Sequence, residues 1–337
     1  MSSMLAAPWW VAQLATGAKS FRDNPLIGSP RLNALGLHRA RVQLAHRLAW
    51  LRRARLAAGL SPADRAAFDR DGFVIVPDFL PPAIFAGLRD AVLAQRFATR
   101  EMRQGNTITR RIAISPAFLR KIPEAQSLLR DPRFRALCRY VGSFRSEPLH
   151  YIQTILTDSD VPDPDPQTRL HADTFHPTLK TWFFLNDVED ADGPFSYVPG
   201  SHRLTPARLA WEHARSLDAH ASSDFLSARG SLRVEPDELP GLGLPAAQRF
   251  PVPANTLVVA DTCGFHARVA ATRPSRRLEL WSFSRRNPFV PWTGADLLSI
   301  PGIAERRIDM MWRLRDRFQN WAGQPWQPSG NKLALDD

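Results

Sequence analysis

Between His150 and Phe283 the chain is a succession of short runs rich in β-branched and aromatic residues, separated by Pro, Gly and Asp. That rhythm limits the fold more than any other feature. Residues 151–156, 181–185, 195–198, 249–252, 256–260 and 278–283 each have the length and composition of a strand. Runs this short, each closed by turn residues, are too brief for long helices. They suit a double-sheet jelly roll or a similar barrel, in which few strand edges are left open. The class expected is α+β with a mainly β core, because helical periodicity surrounds these strands.

Ser61-Pro62-Ala63-Asp64 reads as an N-cap with proline at the first helical position, and the helix ends near Arg70. Residues 72–76 follow as a buried strand. Helical periodicity returns over 81–95 through Ile84, Leu88, Val92 and Leu93, and over 115–140 with breaks at Pro123 and Pro132. Residues 204–245 form a long insertion between strands, which we read as a lid or substrate-binding segment. Residues 303–321 read as a last amphipathic helix, stopped by Gly323 and Pro325. The expected organisation is a basic, partly helical extension (1–60), a β domain (61–290), and a C-terminal helical segment (291–337) packing on it.

The 337 residues are 44% apolar, enough for a substantial core, and carry a formal charge of +11. That charge is uneven. Residues 1–60 hold nine Lys or Arg against Asp23 alone, or +8, leaving +3 for the other 277. Leu37, Leu44, Leu48 and Leu51 share a face of a helix expected over 36–56. Two readings fit this arm. It is a helix packed on the body with its arginines in water, or a basic helix lying on an anionic membrane with Trp9 and Trp10 as anchors. Nucleic acid is a weaker partner for it. Two distant cysteines, Cys138 and Cys263, form no disulfide framework or zinc-finger spacing, so a reducing cytoplasm is the default. No run of 18 apolar residues is present, so no transmembrane helix is expected.

Of nine histidines only His171 is followed two residues on by an acid, Asp173. Residues two apart on a strand point to one side, so the pair can share a metal. His266, just after a strand and the tight Cys263-Gly264-Phe265 approach, supplies a third ligand. Two imidazoles and one carboxylate leave three of six octahedral positions open, the requirement for a non-haem Fe(II) centre that binds a 2-oxo acid and O2. Zinc hydrolysis on the same ligands is a second chemistry. Residues 272–275 read as a turn joining two antiparallel strands. On that register His266 and Arg277 share a face about four residues, roughly 13 Å, apart. A planar guanidinium at that distance suits the far carboxylate of a five-carbon diacid such as 2-oxoglutarate.

His171-Ala172-Asp173, Trp182, Gly193-Pro194, Val198-Pro199-Gly200-Ser201-His202, His266 and Arg277, with the entry strand Phe68 to Val76, resemble the phytanoyl-CoA dioxygenase family of Fe(II)/2-oxoglutarate oxygenases. The resemblance spans about residues 61–290. It implies a double-stranded β-helix, the cupin-like jelly roll, and hydroxylation of an unactivated C–H bond with release of succinate and CO2. It implies iron on His171, Asp173 and His266, and 2-oxoglutarate on Arg277, with Trp182 lining that pocket. Gln153 and Thr154 lie on the strand that usually faces it, and the choice between them stays open. His176 has two readings, a residue orienting a ligand or an ordinary turn histidine. No catalytic side chain beyond the metal centre is expected. Arg268 departs from relatives that carry a small hydroxyl residue there. Asp173 favours hydroxylation over halogenation, since related halogenases replace that carboxylate. The substrate expected is a lipid-linked compound or a small metabolite. Rival readings are a non-catalytic membrane or nucleic-acid binding protein on the same fold, or a zinc hydrolase.

Overall fold

Every residue from Arg277 to Ser282 on strand Ser275–Ser284 is buried, so this strand is covered on both faces. The two covers differ. Leu278 and Leu280 join Val74, Ile112, Ile152, Phe183 and Val259 in one apolar cluster. Helices Pro62–Asp71, Pro82–Ala94 and Pro132–Gly142 cover that side, through Phe68, Leu88 and Leu137. Trp281 belongs to a separate cluster on the opposite face, with Phe73, Tyr151, Trp182, Phe195, Tyr197 and Phe250. A second, smaller sheet covers this inner face.

The computed structural model describes residues 3–294, 299–300 and 302–336. Among them the strands are β1 (Phe73–Val76), β2 (Phe97–Gln104), β3 (Thr107–Ala113), β4 (Leu149–Thr157), β5 (Leu179–Phe184), β6 (Phe195–Tyr197), β7 (Gln248–Phe250), β8 (Leu257–Asp261), β9 (His266–Arg268), β10 (Ser275–Ser284) and β11 (Gln327–Lys332). The large sheet runs β1-β8-β5-β10-β4-β3-β2-β11 and the small one β7-β6-β9, with antiparallel pairing throughout. Single bridges from His171 to His266 and to Arg233 widen the small sheet. Two facing antiparallel sheets flanked by helices make the double-stranded β-helix the sequence leads one to expect.

The expected turn at 272–275 does not join paired strands. β9 pairs with β6 in the small sheet, and β10 pairs with β4 and β5 in the large one. His266 and Arg277 therefore meet across the cleft between sheets, not along one hairpin. The sequence reading also passes over β2, β3 and β11. β2 and β3 carry Arg100, Arg103, Arg110 and Arg111 where alternation would call for apolar residues. Arg111 is accommodated between the Trp281 and Trp326 rings, 4.0 and 4.1 Å from their centroids. The C-terminal segment is thus part helix (Arg307–Arg317), part edge strand.

The described part of the N-terminal extension, residues 3–60, is built into the body. Helix Leu37–Leu56 turns His38, Arg41, Val42, Ala45, His46, Ala49, Arg52 and Arg53 inward, while Leu44 and Leu51 of the expected leucine face stand about half exposed. Small residues let the helix approach closely, and its arginines satisfy orphan carbonyls. Arg41 donates to Leu14, Thr16 and Ala18, and Arg52 to Ser143, Pro288 and Val290. Arg53 forms a fully buried ion pair with Asp261 at 2.6 Å. The reading with arginines in water is corrected for these three, and they are equally withdrawn from any anionic surface. No helix among the described residues is long and apolar enough to cross a membrane.

The 204–245 segment packs outside the cleft between the sheets. Its helix Pro206–Asp218 packs on the N-terminal arm, with His38 Nε2 3.0 Å from Glu212 and Asn33 donating to the Ser216 carbonyl at 2.9 Å. None of its residues lines the cleft between the sheets. It buttresses residues 171–173 from behind, the Ala172 N–H donating to the Leu232 carbonyl at 3.0 Å.

Candidate metal centre and cosubstrate cleft

Residues 171–173 run extended between two neighbours. The His171 and His266 main chains exchange both hydrogen bonds, each 3.0 Å, and the Asp173 N–H donates to the Thr262 carbonyl at 2.9 Å. A hydrogen-bonded antiparallel pair sets both side chains on one face, and the ring centroids stand 4.4 Å apart. Asp173, two residues on, returns to that face.

The approach to His266 is fixed from below. Asp261 Oδ1 accepts the Thr178 and Cys263 N–H groups at 2.9 and 3.1 Å, while its other oxygen holds Arg53. Ser201 Oγ accepts the Phe265 N–H at 2.8 Å. Gly264 is required, because a Cβ there would lie 1.8 Å from the Tyr197 hydroxyl oxygen. That hydroxyl donates to the Asp261 carbonyl at 2.7 Å.

Each histidine Nδ1 faces a carbonyl, Arg169 O at 2.8 Å for His171 and Gly264 O at 3.0 Å for His266. Nδ1 therefore carries the proton, and the Nε2 lone pair is left free. Both Nε2 atoms are buried without a hydrogen-bond partner, and each lies 3.8 Å from Asp173 Oδ1. The three ligand atoms lie within 4.8 Å of one another. Burial lowers the His266 pKa to about 4 and takes His171 well below the ordinary value, so both are neutral donors at neutral pH. Burial opposes ionisation of Asp173, but its neighbours, the Lys180 ammonium foremost, outweigh it and hold the carboxyl far below its usual range. Two neutral imidazoles, whose unpartnered Nε2 atoms converge on one oxygen of an ionised carboxylate, fit a divalent ion. The structure thus brings the three expected ligands together.

A cleft of about 360 Å³ opens beside these ligands. Its floor is the inner face of the large sheet, where Trp281 stands opposite Trp182 and Phe283 opposite Lys180. Arg277 lies at one end, 4% exposed. It donates to the Gly193 carbonyl, and its Nε is 3.7 Å from Glu279 with no hydrogen bond of its own. Burial lowers its pKa to about 10, still a cation at neutral pH. Gly193 sits at φ 72°, where a Cβ would press to 2.6 Å from the Val269 carbonyl.

The open choice on β4 resolves by strand parity. Gln153 lines the cleft, accepting from Arg111 Nε at 2.8 Å and donating to Glu279 at 2.6 Å. Thr154 points to the outer face and donates to the Ala334 carbonyl at 2.7 Å, which corrects its assignment to the cosubstrate pocket. Trp182 lines the cleft as expected. His176 does not line the cleft; its Nδ1 faces the Pro177 carbonyl and its ring packs edge-on against Phe175. Burial lowers its pKa to about 3. Arg268 faces the cleft but is ion-paired to buried Asp165.

Sequence reasoning missed four cleft cations. Lys180 has a legible signal, lying two residues before Trp182 on one strand face, and its Nζ is 2.6 Å from Asp173 Oδ2. Arg285 continues the 277, 281, 283 alternation of β10. Arg111 lies on a strand that was not recognised. Lys19, which donates to the Asp173 carbonyl at 2.5 Å, arrives from the N-terminal loop with no local signal.

The fold and the three ligands define a metal-binding protein of the double-stranded β-helix class. Residues 68–235 match the family described as phytanoyl-CoA dioxygenase (PhyH), and this part of the chain belongs to that family. His266, Arg277, Lys19 and Arg285 lie outside the matched residues. No curated protein matches the chain. Among solved structures it is similar to the non-haem α-ketoglutarate-dependent epimerase SnoN from nogalamycin biosynthesis, at 24% identity over 72% of this chain and 92% of that one (TM-score 0.45). HygX from Streptomyces hygroscopicus, with nickel and 2-oxoglutarate bound, matches at 17% over 72% and 93% (TM-score 0.46). EctD from S. alaskensis, with bound Fe, matches at 18% over 67% and 76% (TM-score 0.36).

Proposed function

We propose that this protein is an Fe(II)/2-oxoglutarate-dependent oxygenase that hydroxylates an unactivated C–H bond of a small or amphiphilic substrate. One observation carries the reading. Two histidine Nε2 atoms with locked tautomers converge on one carboxylate oxygen, beside a cleft that ends in a buried arginine.

A ferrous ion held by His171, Asp173 and His266 would supply the oxidising chemistry that couples conversion of 2-oxoglutarate and O2 into succinate and CO2 to substrate hydroxylation. The chain supplies the rest. Three protein ligands leave three coordination positions for small molecules. Arg277 offers a planar fork to the far carboxylate of the cosubstrate, held in place by Gly193 and faced by Glu279. Arg111, Gln153 and Glu279 form one hydrogen-bonded row on the cleft floor. Trp182, Phe195, Trp281 and Phe283 make apolar walls that exclude water from the reacting region. The Asp173 carboxylate occupies the position a halide would need, which supports hydroxylation over halogenation.

The test is oxygen uptake by the iron-loaded protein with 2-oxoglutarate. Uptake with matching succinate release, abolished in Asp173→Ala, is the expected outcome. Turnover of an ester or amide without oxygen uptake would replace the reading with metal-dependent hydrolysis.

A further inference from the structure

Resting on that reading, we infer that the substrate is an anion, carrying a carboxylate or phosphate group that seats on Lys19, Lys180 and Arg285 on the far side of the metal from Arg277.

Six cations line the cleft: Lys19, Arg111, Lys180, Arg268, Arg277 and Arg285. Against them stand Asp173, which also lines it, Asp165 paired to Arg268, and Glu279 beside Arg277. Six against three leaves an excess of three positive charges. A ferrous ion and a doubly charged 2-oxoglutarate cancel each other, so the loaded site keeps that excess. Burial raises the Glu279 pKa and lowers the Lys19 pKa to about 7, shifts that act on this excess in opposite directions. Cations gathered in a cleft with apolar walls favour an anionic guest and attract it from a distance.

Position separates this charge from the cosubstrate. On β10 the cleft face reads Arg277, Glu279, Trp281, Phe283, and Arg285 follows just past the strand end. Eight residues of extended chain put Arg285 about 27 Å from Arg277, beyond the reach of one five-carbon diacid. Asp173 lies toward the Arg285 end, close enough for its charge to act on that guanidinium. Lys180, whose Nζ touches Asp173, sits opposite Phe283. Lys19 reaches the same carboxylate residue from the N-terminal loop. Among the described residues Arg285 makes no hydrogen bond or ion pair, although it lines the cleft. The Phe283 ring between this cluster and Trp281 offers a wall for the substrate's carbon skeleton.

The residues 1–60 extension thereby acquires a role in substrate selection. Helix Leu37–Leu56 anchors it through Arg41, which donates to the Thr16 and Ala18 carbonyls at 2.9 and 2.7 Å and so fixes the loop that presents Lys19.

The test uses full-length protein loaded anaerobically with Fe(II) and 2-oxoglutarate, and titrates hexanoate, hexyl phosphate and hexanol against the fluorescence of the cleft tryptophans. At least one anion should bind about tenfold or more tightly than hexanol, with affinity falling as salt rises. The tighter anion identifies the head group. Arg285→Gln should weaken that anion about fivefold or more, leave hexanol unchanged and leave the visible Fe(II)/2-oxoglutarate band intact. Lys19→Gln should do the same, and Lys19→Arg should restore binding. Equal affinity for hexanol and both anions would overturn the inference, as would loss of the 2-oxoglutarate band in Arg285→Gln. Absence of the band from the wild-type protein would instead overturn the oxygenase reading itself, so the two failures are distinguishable.

Discussion

Replacing Arg53 by Met tests whether the N-terminal extension belongs to the catalytic body. The guanidinium is fully buried between the Trp50 and Phe68 rings, 4.8 and 4.7 Å from their centroids. It donates to Tyr140 and Val141 carbonyls and to Asp261 Oδ2, the last two at 2.6 Å. Methionine keeps the stem and the packing but leaves the Asp261 carboxylate buried and unpaired. Removing one partner of a buried pair costs about 3–5 kcal/mol. For 337 residues the unfolding entropy is about 0.7 kcal/mol per degree, so the melting temperature should fall by about 4–7 °C. Adding Asp261→Asn removes the stranded charge, and the double variant should melt above Arg53→Met. Differential scanning calorimetry on the four proteins of the cycle gives the coupling. Asp261 also aligns the turn before His266, so iron affinity should fall with stability in the single variant. A melting point within 1 °C of wild type, or strict additivity in the cycle, would refute this account of the arm.

Changing His171 or His266 to Ala should lower iron affinity about a hundredfold or more by equilibrium dialysis, with far-ultraviolet circular dichroism unchanged. Gln153→Leu should raise the KM for 2-oxoglutarate by disrupting the row from Arg111 to Glu279. Thr154→Val should leave that KM unchanged and cost about 1 kcal/mol of stability, read by urea unfolding. Stability should also fall in acid. Burial lowers His46 to about 4 and His150 and His202 to about 3, from an ordinary value of 6.5. The unfolded chain takes up protons below pH 6.5 that the fold refuses, so stability is full above that value and lost toward pH 4. Each histidine contributes about 1.4 kcal/mol per pH unit while titrating, so the three together approach about 4. Flat unfolding free energy from pH 6.5 to 5 would contradict the buried neutral histidines.

The strands were legible where burial on both faces leaves near-continuous apolar runs, as in Leu257–Asp261 and Leu149–Thr157. They were illegible where arginines occupy the pleat. β2 and β3 are held by ion pairs such as Arg110–Glu101 and by Arg111 stacked on tryptophan, and no periodicity scale registers either. The metal ligands were legible because the chemistry needs two of them two residues apart, and Arg277 because a turn lay between it and His266. The pairing inferred from that turn was wrong even so, since β9 and β10 join different sheets. The leucine face of Leu37–Leu56 misled because three buried arginines find carbonyl and carboxylate partners contributed by residues far along the chain. Lys19 is the extreme case: its place beside Asp173 depends on a loop packed by tertiary contacts alone.

The central claim is that His171, Asp173 and His266 hold a ferrous ion to which 2-oxoglutarate binds with its far end on Arg277. Anaerobic addition of 2-oxoglutarate to the Fe(II)-loaded protein tests it most directly. The account predicts a weak visible charge-transfer band that saturates at one equivalent, disappears in Asp173→Ala and needs far more cosubstrate in Arg277→Gln. A protein that binds no iron, or binds iron and gives no band at saturating 2-oxoglutarate, would contradict it.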